Sequence, residues 1–236
     1  KWSQYPLNFL SRSKFPFRDR PFLVSPAVHF CMGGVEIDEY GMTALKGLFA
    51  AGEVVWGVHG ANRLGGNALT ECAVFGILAG QSASEYARER EADLISEVFK
   101  RKWQRKAEGY LKKSRGSFDP PTQILKELKT LSWRYAGPAR EERSLKEGLE
   151  RLASIEKRID KVYPATLKDL FRKRELENVA LLLKAILNGS LARKESRGSF
   201  FRQDFPDQDD QELLKNTCYC LEKGDLQIIH RPVLET

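Results

Sequence analysis

The stretch from Gly57 to Leu69, "GVHGANRLGGNAL", sets the tightest limit on what this chain can fold into. Its four glycines let backbone come close to a flat ligand where a Cβ would collide. An arginine, a histidine and two asparagines stand among them, and a long apolar segment follows. Arginine offers a planar fork of donors that meets a carboxylate at two points. A helix starting at the apolar segment points its positive end and its free N–H groups back at the turn. These residues describe a place for an anionic substrate beside an electron-accepting ring.

Two further segments precede that turn, "SPAVHFCMGG" at 25–34 and "GLFAAGE" at 47–53, and a fourth, "ARKESRGSFFRQDFPDQDD", lies at 192–210. In this order and at about this spacing they resemble the flavoprotein family of fumarate reductase, succinate dehydrogenase and L-aspartate oxidase. The resemblance covers almost the whole chain. It implies FAD as cofactor and a dicarboxylate as substrate, with a hydride moving between flavin N5 and a substrate carbon. Interconversion of fumarate and succinate is the reaction it implies first. L-aspartate oxidase is the alternative, since "LTECAVFG" at 69–76 has some likeness to that branch.

The resemblance also distributes roles. Arg63 and His29 are the implied substrate ligands. Glu53, at the end of "GLFAAGE", is the implied acceptor for two ribityl hydroxyls. His59, Gly65, Gly66, Asn67, Ala68 and Leu69 complete the implied cofactor contacts, with His59 orienting the turn or touching flavin. The helix start at 67–69 would face the pyrimidine end of the isoalloxazine, and helix-terminus stabilisation of about 0.3–2 kcal/mol is typical there. Three positions depart from the family pattern: Phe30 where Tyr or His often stands, Ala68 where many members have Ser, and Phe200 where "ESRG-x-H" has its histidine. Arg197 and Arg202 receive no catalytic role and are expected to tie the tail to the core by ion pairs. The family's proton-donating arginine is expected upstream of these signatures. Arg12, Arg18 and Arg20 are within reach by order only and are read as surface residues, so no catalytic residue is assigned.

A dinucleotide-binding fold needs a Gly-rich turn between strand and helix to hold the pyrophosphate. No G-x-G-x-x-G occurs among these 236 residues, and the chain begins at Lys1 without a signal-like segment. The expectation is the C-terminal part of a longer flavoprotein, inactive alone and carrying no FAD by itself.

Hydrophobic residues make up 42% of the chain and charged residues 30%, a balance suited to a packed globular protein and not to disorder. No apolar run reaches the roughly 18–20 residues of a membrane span. The expected location is cytoplasmic, with membrane association only through partner subunits. The net charge of +7 comes from Lys and Arg interleaved with Glu along helical segments, which reads as solvated helix faces and not as a nucleic-acid site. Cys31, Cys72, Cys218 and Cys220 have neither the spacing of a metal site nor that of a cluster. They are read as reduced thiols, the last two on one face of a strand. Electrons must therefore come from a partner: a quinone, oxygen, or the clusters of an iron–sulfur subunit. The competing reading from another class, a basic helical protein-interaction module, draws only on residues after Glu91.

The fold class expected is α+β and mostly helical. Residues 1–24 would be the tail of a capping domain. Residues 25–91 would be the closing part of an FAD-binding α/β domain, with a short buried strand at Gly47–Ala51 and a buried helix from about Asn67 to Arg90. Residues 92–236 would form an antiparallel helical bundle with an irregular tail. Its helices are expected at Leu94–Lys113, from Pro120 (capped by Asp119) to Tyr135, along the stripe Leu145, Leu149, Leu152, Ile155, Ile159 and Val162, and from Arg174 to about Lys194. Val179, Leu182, Leu183, Ile186 and Leu187 should face inward in the last of these, and a strand is expected at Leu226–His230.

Overall fold

The computed structural model describes residues 8–9, 11–12, 21, 23–90, 96–112 and 120–233. The chain divides into two compact units, Lys1–Cys31 and Met32–Thr236. In the first, residues 8, 9, 11 and 12 are helical where loop or extended chain was expected, and 23–31 run without regular pairing. Arg18 and Arg20 lie outside the described residues.

The second unit opens with isolated bridges: Val35 parallel to Val55, and Ile37–Thr43 and Met42–Phe49 antiparallel. Asp38 turns the chain, its Oδ1 accepting from the N–H of Tyr40 at 2.9 Å and of Met42 at 2.8 Å. The expected strand at Gly47–Ala51 is not a regular strand. Gly47 sits in a turn with φ of +82°, and Phe49 to Ala51 are only half-buried. Their hydrogen bonds go to residues 41–43 on one side, so among the described residues a single edge is paired.

A 3₁₀ turn at Gly52–Val54 leads to helix α1, Asn67–Arg88. Its apolar first half is not buried as expected: Leu69, Val74 and Ile77 are 83%, 56% and 65% exposed, and only Glu71 and Ala79 are buried. An apolar helix surface needs a facing layer. Among the described residues α1 meets the short 3₁₀ turn and, through Ala79 and Tyr86, the segment from Gly41 to Phe49, which leave Leu69, Val74 and Ile77 uncovered. Helix α2, Glu97–Lys112, begins three residues later than expected and is exposed over most of its length. The boundary expected near Glu91, the loop at 114–117 and the cap Asp119 fall outside the described residues.

Helix α3 spans Pro121–Tyr135, strand β1 Ala139–Arg140, helix α4 Glu142–Asp160 and helix α5 Leu167–Ala192. Pro120 is the N-cap of α3 and Pro121 its first residue, one position later than expected. Proline suits that first position because its missing N–H would have no partner in the helix anyway. Helix α5 begins seven residues before the expected start, at a capping box: the Asp169 N–H donates to Thr166 Oγ1 at 3.2 Å and the Thr166 N–H to Asp169 Oδ2 at 3.2 Å. Thr-x-x-Asp lacks the usual Glu or Gln at its fourth position, which hid the signal.

These three helices share one core. Ile124, Leu128, Leu145, Leu152, Leu176 and Leu187 are each at most 1% exposed within it. The α4 stripe is as expected, with Leu149 at its margin. On α5 the inward row is Leu176, Ala180, Leu183 and Leu187, while Leu182 and Ile186 are 64% and 42% exposed. Those two sit on the flank of a stripe spaced by four, three and four residues, so the expected inward set was too wide. Leu152→Ala should cost about 2–5 kcal/mol, the range for large-to-small changes in a packed core. A loss below about 0.5 kcal/mol in a thermal or urea melt would contradict this packing.

Strand β2, Phe201–Arg202, runs parallel to β1 and fastens the tail to the bundle. The segment expected to be irregular holds a hairpin, β3 Lys215–Glu222 against β4 Asp225–Pro232. Lys223 and Gly224 turn it at φ of +52° and +95°, the handedness that matches strand twist in a two-residue loop. Cys218 and Cys220 lie on β3, opposite Ile229 and Gln227. The four cysteines form no disulfide with one another, and no group of three or more metal-binding side chains occurs among the described residues. The hairpin approaches α5 closely at Gly189: a Cβ there would lie 1.8 Å from Tyr219 Oη. Gly189→Ala should therefore destabilise by about 1–3 kcal/mol despite its better helix propensity, and Tyr219→Phe should recover part of that loss in the double-variant melt.

Candidate active site

The turn at 57–66 is a loop of glycine and polar residues with little to hold it locally, so its shape depends on what it is tied to. Two ties stand out among the described residues. His59 Nε2 meets Glu71 Oε2 at 3.1 Å, with side chains 9% and 5% exposed. This pair joins the loop to the second turn of α1. The carbonyl of Ala61 accepts from Ser199, both from its N–H at 3.3 Å and from its Oγ at 3.4 Å. Arg63 follows these anchors. It is half-buried, and its Nη1 donates to the Leu64 carbonyl at 3.1 Å.

The loop ends at Gly66, left-handed at φ of +89°, and α1 starts at Asn67 with no side-chain cap and no acidic residue in its first turn. The Asn67 N–H is taken by the Leu64 carbonyl at 3.3 Å. The outward donors of the helix end are therefore those of Ala68 and Leu69, because the first N–H groups of a helix have no partner inside it. Glu53 is exposed in the 3₁₀ turn. That turn sits against α1, where a Cβ on Gly52 would lie 3.2 Å from Cys72 Sγ. A parallel bridge holds it from the other side: the Val35 N–H donates to Val54 O at 2.8 Å and the Trp56 N–H to Val35 O at 3.1 Å. Thus Glu53, His59, Arg63, Gly65, Gly66, Asn67, Ala68 and Leu69 are carried by one set of connected elements. His29 belongs to the first unit, where it is exposed, as is Arg12.

These residues fit an FAD ring and its anionic reduced form. Gly57, Gly60, Gly65 and Gly66 face open space, with nothing within 4 Å of a Cβ built on any of them. A flat group can therefore approach the backbone there. The helix end supplies N–H donors and positive potential without a competing carboxylate.

The fourth segment forms the outer support of the loop. Glu195 is fully buried and accepts from Arg197 Nε at 2.8 Å and Nη2 at 2.9 Å, from the Asp209 N–H at 2.9 Å, and from Arg193. Burial raises the Glu195 pKa, but the hydrogen bonds from Arg197, Asp209 and Arg193 outweigh it and hold the carboxyl below its ordinary value. Arg202, also fully buried, forms a two-point pair with Asp204 at 2.7 Å for both bonds, and donates to the carbonyls of Ser190 and Arg193. That pairing draws the Asp204 pKa down to about 2, against a smaller opposing effect of burial. Asp204 Oδ2 also accepts the Glu142 N–H at 2.8 Å, capping the start of α4. Arg197 and Arg202 thus sit in the ion-pair network expected of them. Asp204→Asn should lower stability most at neutral pH and least in acid. A carboxyl lowered on folding contributes fully above its unfolded value and loses that contribution as pH falls towards its folded value. The melting difference between wild type and variant should therefore shrink from roughly pH 4 downward and vanish near pH 2.

Sequence reasoning did not find Glu71, Glu195 or Ser199. Glu71 carried one signal, an acid on the inward side of an otherwise apolar helix start. Glu195 and Ser199 sit in the recognised tail segment, but nothing local shows that this segment reaches a turn more than a hundred residues earlier.

The FAD binding domain family model matches residues 1–69, and the model for the fumarate reductase flavoprotein C-terminus matches residues 125–236. An uncharacterized FAD-dependent oxidoreductase of Methanocaldococcus jannaschii is 38% identical over 80% of this chain and 34% of its own. One subunit of the fumarate reductase (CoM/CoB) of Methanothermobacter marburgensis is 40% identical, over 80% of this chain and 35% of its own. The L-aspartate oxidase of Yersinia pestis is 33% identical, over 78% and 33% respectively. The chain thus spans about a third of the length of these relatives. A quinol–fumarate reductase solved with menaquinol molecules superposes with a TM-score of 0.84 at 28% identity, over 98% of this chain and 42% of that one. With the fold, the four segments and both halves matched, the chain belongs to the flavoprotein family of fumarate reductase, succinate dehydrogenase and L-aspartate oxidase, and represents its C-terminal portion.

Proposed function

We propose that this chain is the substrate-binding and helical portion of an FAD-dependent enzyme that interconverts fumarate and succinate or a related dicarboxylate. The observation that carries the reading is Arg63 on a turn anchored by the His59–Glu71 pair, just ahead of a helix start with no side-chain cap and no acid in its first turn. FAD, when bound, supplies the redox chemistry by exchanging a hydride between its N5 and a substrate carbon. Arg63 holds a substrate carboxylate through its two-point fork and draws electron density toward it, which polarises the adjoining carbon–carbon bond. The family resemblance adds His29 as a further carboxylate ligand and Glu53 as the acceptor for ribityl hydroxyls. The Ala68 and Leu69 amides would stabilise negative charge on the ring, and His59, through Glu71, keeps the glycine turn in place. The proton-donating arginine is proposed to lie upstream of this chain.

Residues 25–91 are proposed as the closing part of the FAD-binding domain, and α3, α4 and α5 as an antiparallel bundle, in keeping with their short connections at 136–141 and 161–166. Electrons would arrive through a partner, with an iron–sulfur subunit the first candidate. No helix among the described residues is long and apolar enough to cross a membrane, so any membrane association would run through partners or other parts of the protein.

The test is turnover by the intact flavoprotein. Fumarate with a reduced viologen donor and L-aspartate with oxygen are assayed side by side. Fumarate reduction is the expected result, aspartate oxidation would select the alternative branch, and turnover of neither would overturn the reading.

A further inference from the structure

We propose that the Arg197–Phe200 turn is a strut that positions the Arg63 loop, with Gly198 and Ser199 as its positioning residues. The proposal deepens, and rests on, the reading of Arg63 as a carboxylate ligand. Arg197 and Phe200 close the turn by two backbone bonds, from the Arg197 N–H to Phe200 O at 2.8 Å and from the Phe200 N–H to Arg197 O at 3.0 Å. Gly198 at its tip has φ of +59°, and a Cβ built there would lie 2.3 Å from Ala61 O and 2.6 Å from Ala61 C. Only glycine meets both demands, the left-handed backbone and the close approach. Ser199, next in sequence, donates its N–H and its hydroxyl to the same Ala61 carbonyl.

The base of the strut is rigid. Arg197 is held by the fully buried Glu195 through two bonds, and its Nη2 also donates to Asp210 Oδ1 at 2.7 Å. Ser196 at the base donates its hydroxyl to Phe205 O at 2.8 Å and accepts the Arg202 N–H at 2.9 Å. Strand β2, joined to β1, connects this base to the helical core. Ala61 lies midway between His59, tied to α1, and Arg63. The tail therefore grips the loop at a second point, between the His59–Glu71 pair and Arg63 in sequence, and the helical portion becomes part of the machinery that aims Arg63. A guanidinium displaced by about 1 Å from its carboxylate loses much of its value in catalysis.

The test uses the intact protein with Gly198→Val, which blocks the approach to Ala61, and Ser199→Ala, which removes one of the two bonds. Hydrogen–deuterium exchange is read by peptide, and KM and kcat are measured for the dicarboxylate. Gly198→Val should speed exchange in 57–66 on the order of tenfold, leaving 121–187 unchanged. It should also raise KM on the order of tenfold or more. Ser199→Ala should move both readouts in the same direction by roughly two- to threefold, a smaller local loosening. Unchanged exchange in 57–66 for Gly198→Val overturns the strut. Should Gly198→Val fail to fold, Ser199→Ala decides, and wild-type exchange and KM for that variant overturn it equally. Arg63→Lys separates the two claims: full activity in that variant defeats the reading of Arg63 as ligand, whereas the exchange data report on the strut regardless.

Discussion

Arg63→Lys should nearly abolish turnover in the intact enzyme, by on the order of 10²–10³-fold or more. Lysine keeps the positive charge, so a role resting on charge alone would survive the change. What it loses is the planar fork that binds both oxygens of a carboxylate in fixed geometry. The loop makes the distinction sharp, because its backbone is fastened just ahead of Arg63, at His59 and at Ala61, which limits how far it can follow a shorter donor. Steady-state kinetics decides the matter, and activity within a few-fold of wild type would remove Arg63 from the site.

Glu195→Gln should be the most destabilising single change in the tail, at about 3–5 kcal/mol, the usual cost of breaking a buried ion pair from one side. Glu195 is fully buried and serves Arg193, Arg197 and the Asp209 N–H at once. Glutamine retains one acceptor oxygen and adds an NH₂ group that faces the two guanidinium groups. The wild-type advantage should depend on pH. The Glu195 carboxyl is held below its ordinary value, so its contribution is complete above the unfolded value and is lost on acidification. Urea melts of both chains at neutral pH and through the acid range would show the gap closing, and a gap below about 1 kcal/mol at neutral pH would contradict the network.

Much of this was legible in the sequence, and the exceptions have physical causes. The α4 stripe is visible because Leu145, Leu152, Ile155 and Ile159 face one core at helical spacing. The family was visible because its chemistry requires unusual residues together, glycines around an arginine ahead of an apolar helix. Burial of α1 was misread because apolar content reports that a surface needs a partner, and not whether these residues supply one. The β3–β4 hairpin was read only in pieces, a strand at Cys218–Cys220 and another at Leu226–His230, because Asn216, Thr217 and Cys218 make a weak alternation and the turn at Lys223 is an uncommon one for positive φ. The two ties on the Arg63 loop were invisible for another reason. His59–Glu71 spans a loop and a helix turn, and Ala61–Ser199 joins residues that only the folded tail brings together. The positive charge resolved as expected on α4 and α5, where Lys146–Glu142, Arg151–Glu147 and Arg174–Glu177 pair along solvated faces.

The most direct test of the central claim is a single spectral titration of the intact flavoprotein. The protein is reduced chemically under anaerobic conditions and mixed with fumarate, with the flavin absorption followed alongside succinate. Oxidised flavin bands should return with one succinate per flavin in the wild type, and the spectrum should stay reduced in Arg63→Gln on the same timescale. A wild-type flavin that fumarate leaves reduced, or an Arg63→Gln variant that reoxidises as fast as wild type, would contradict it.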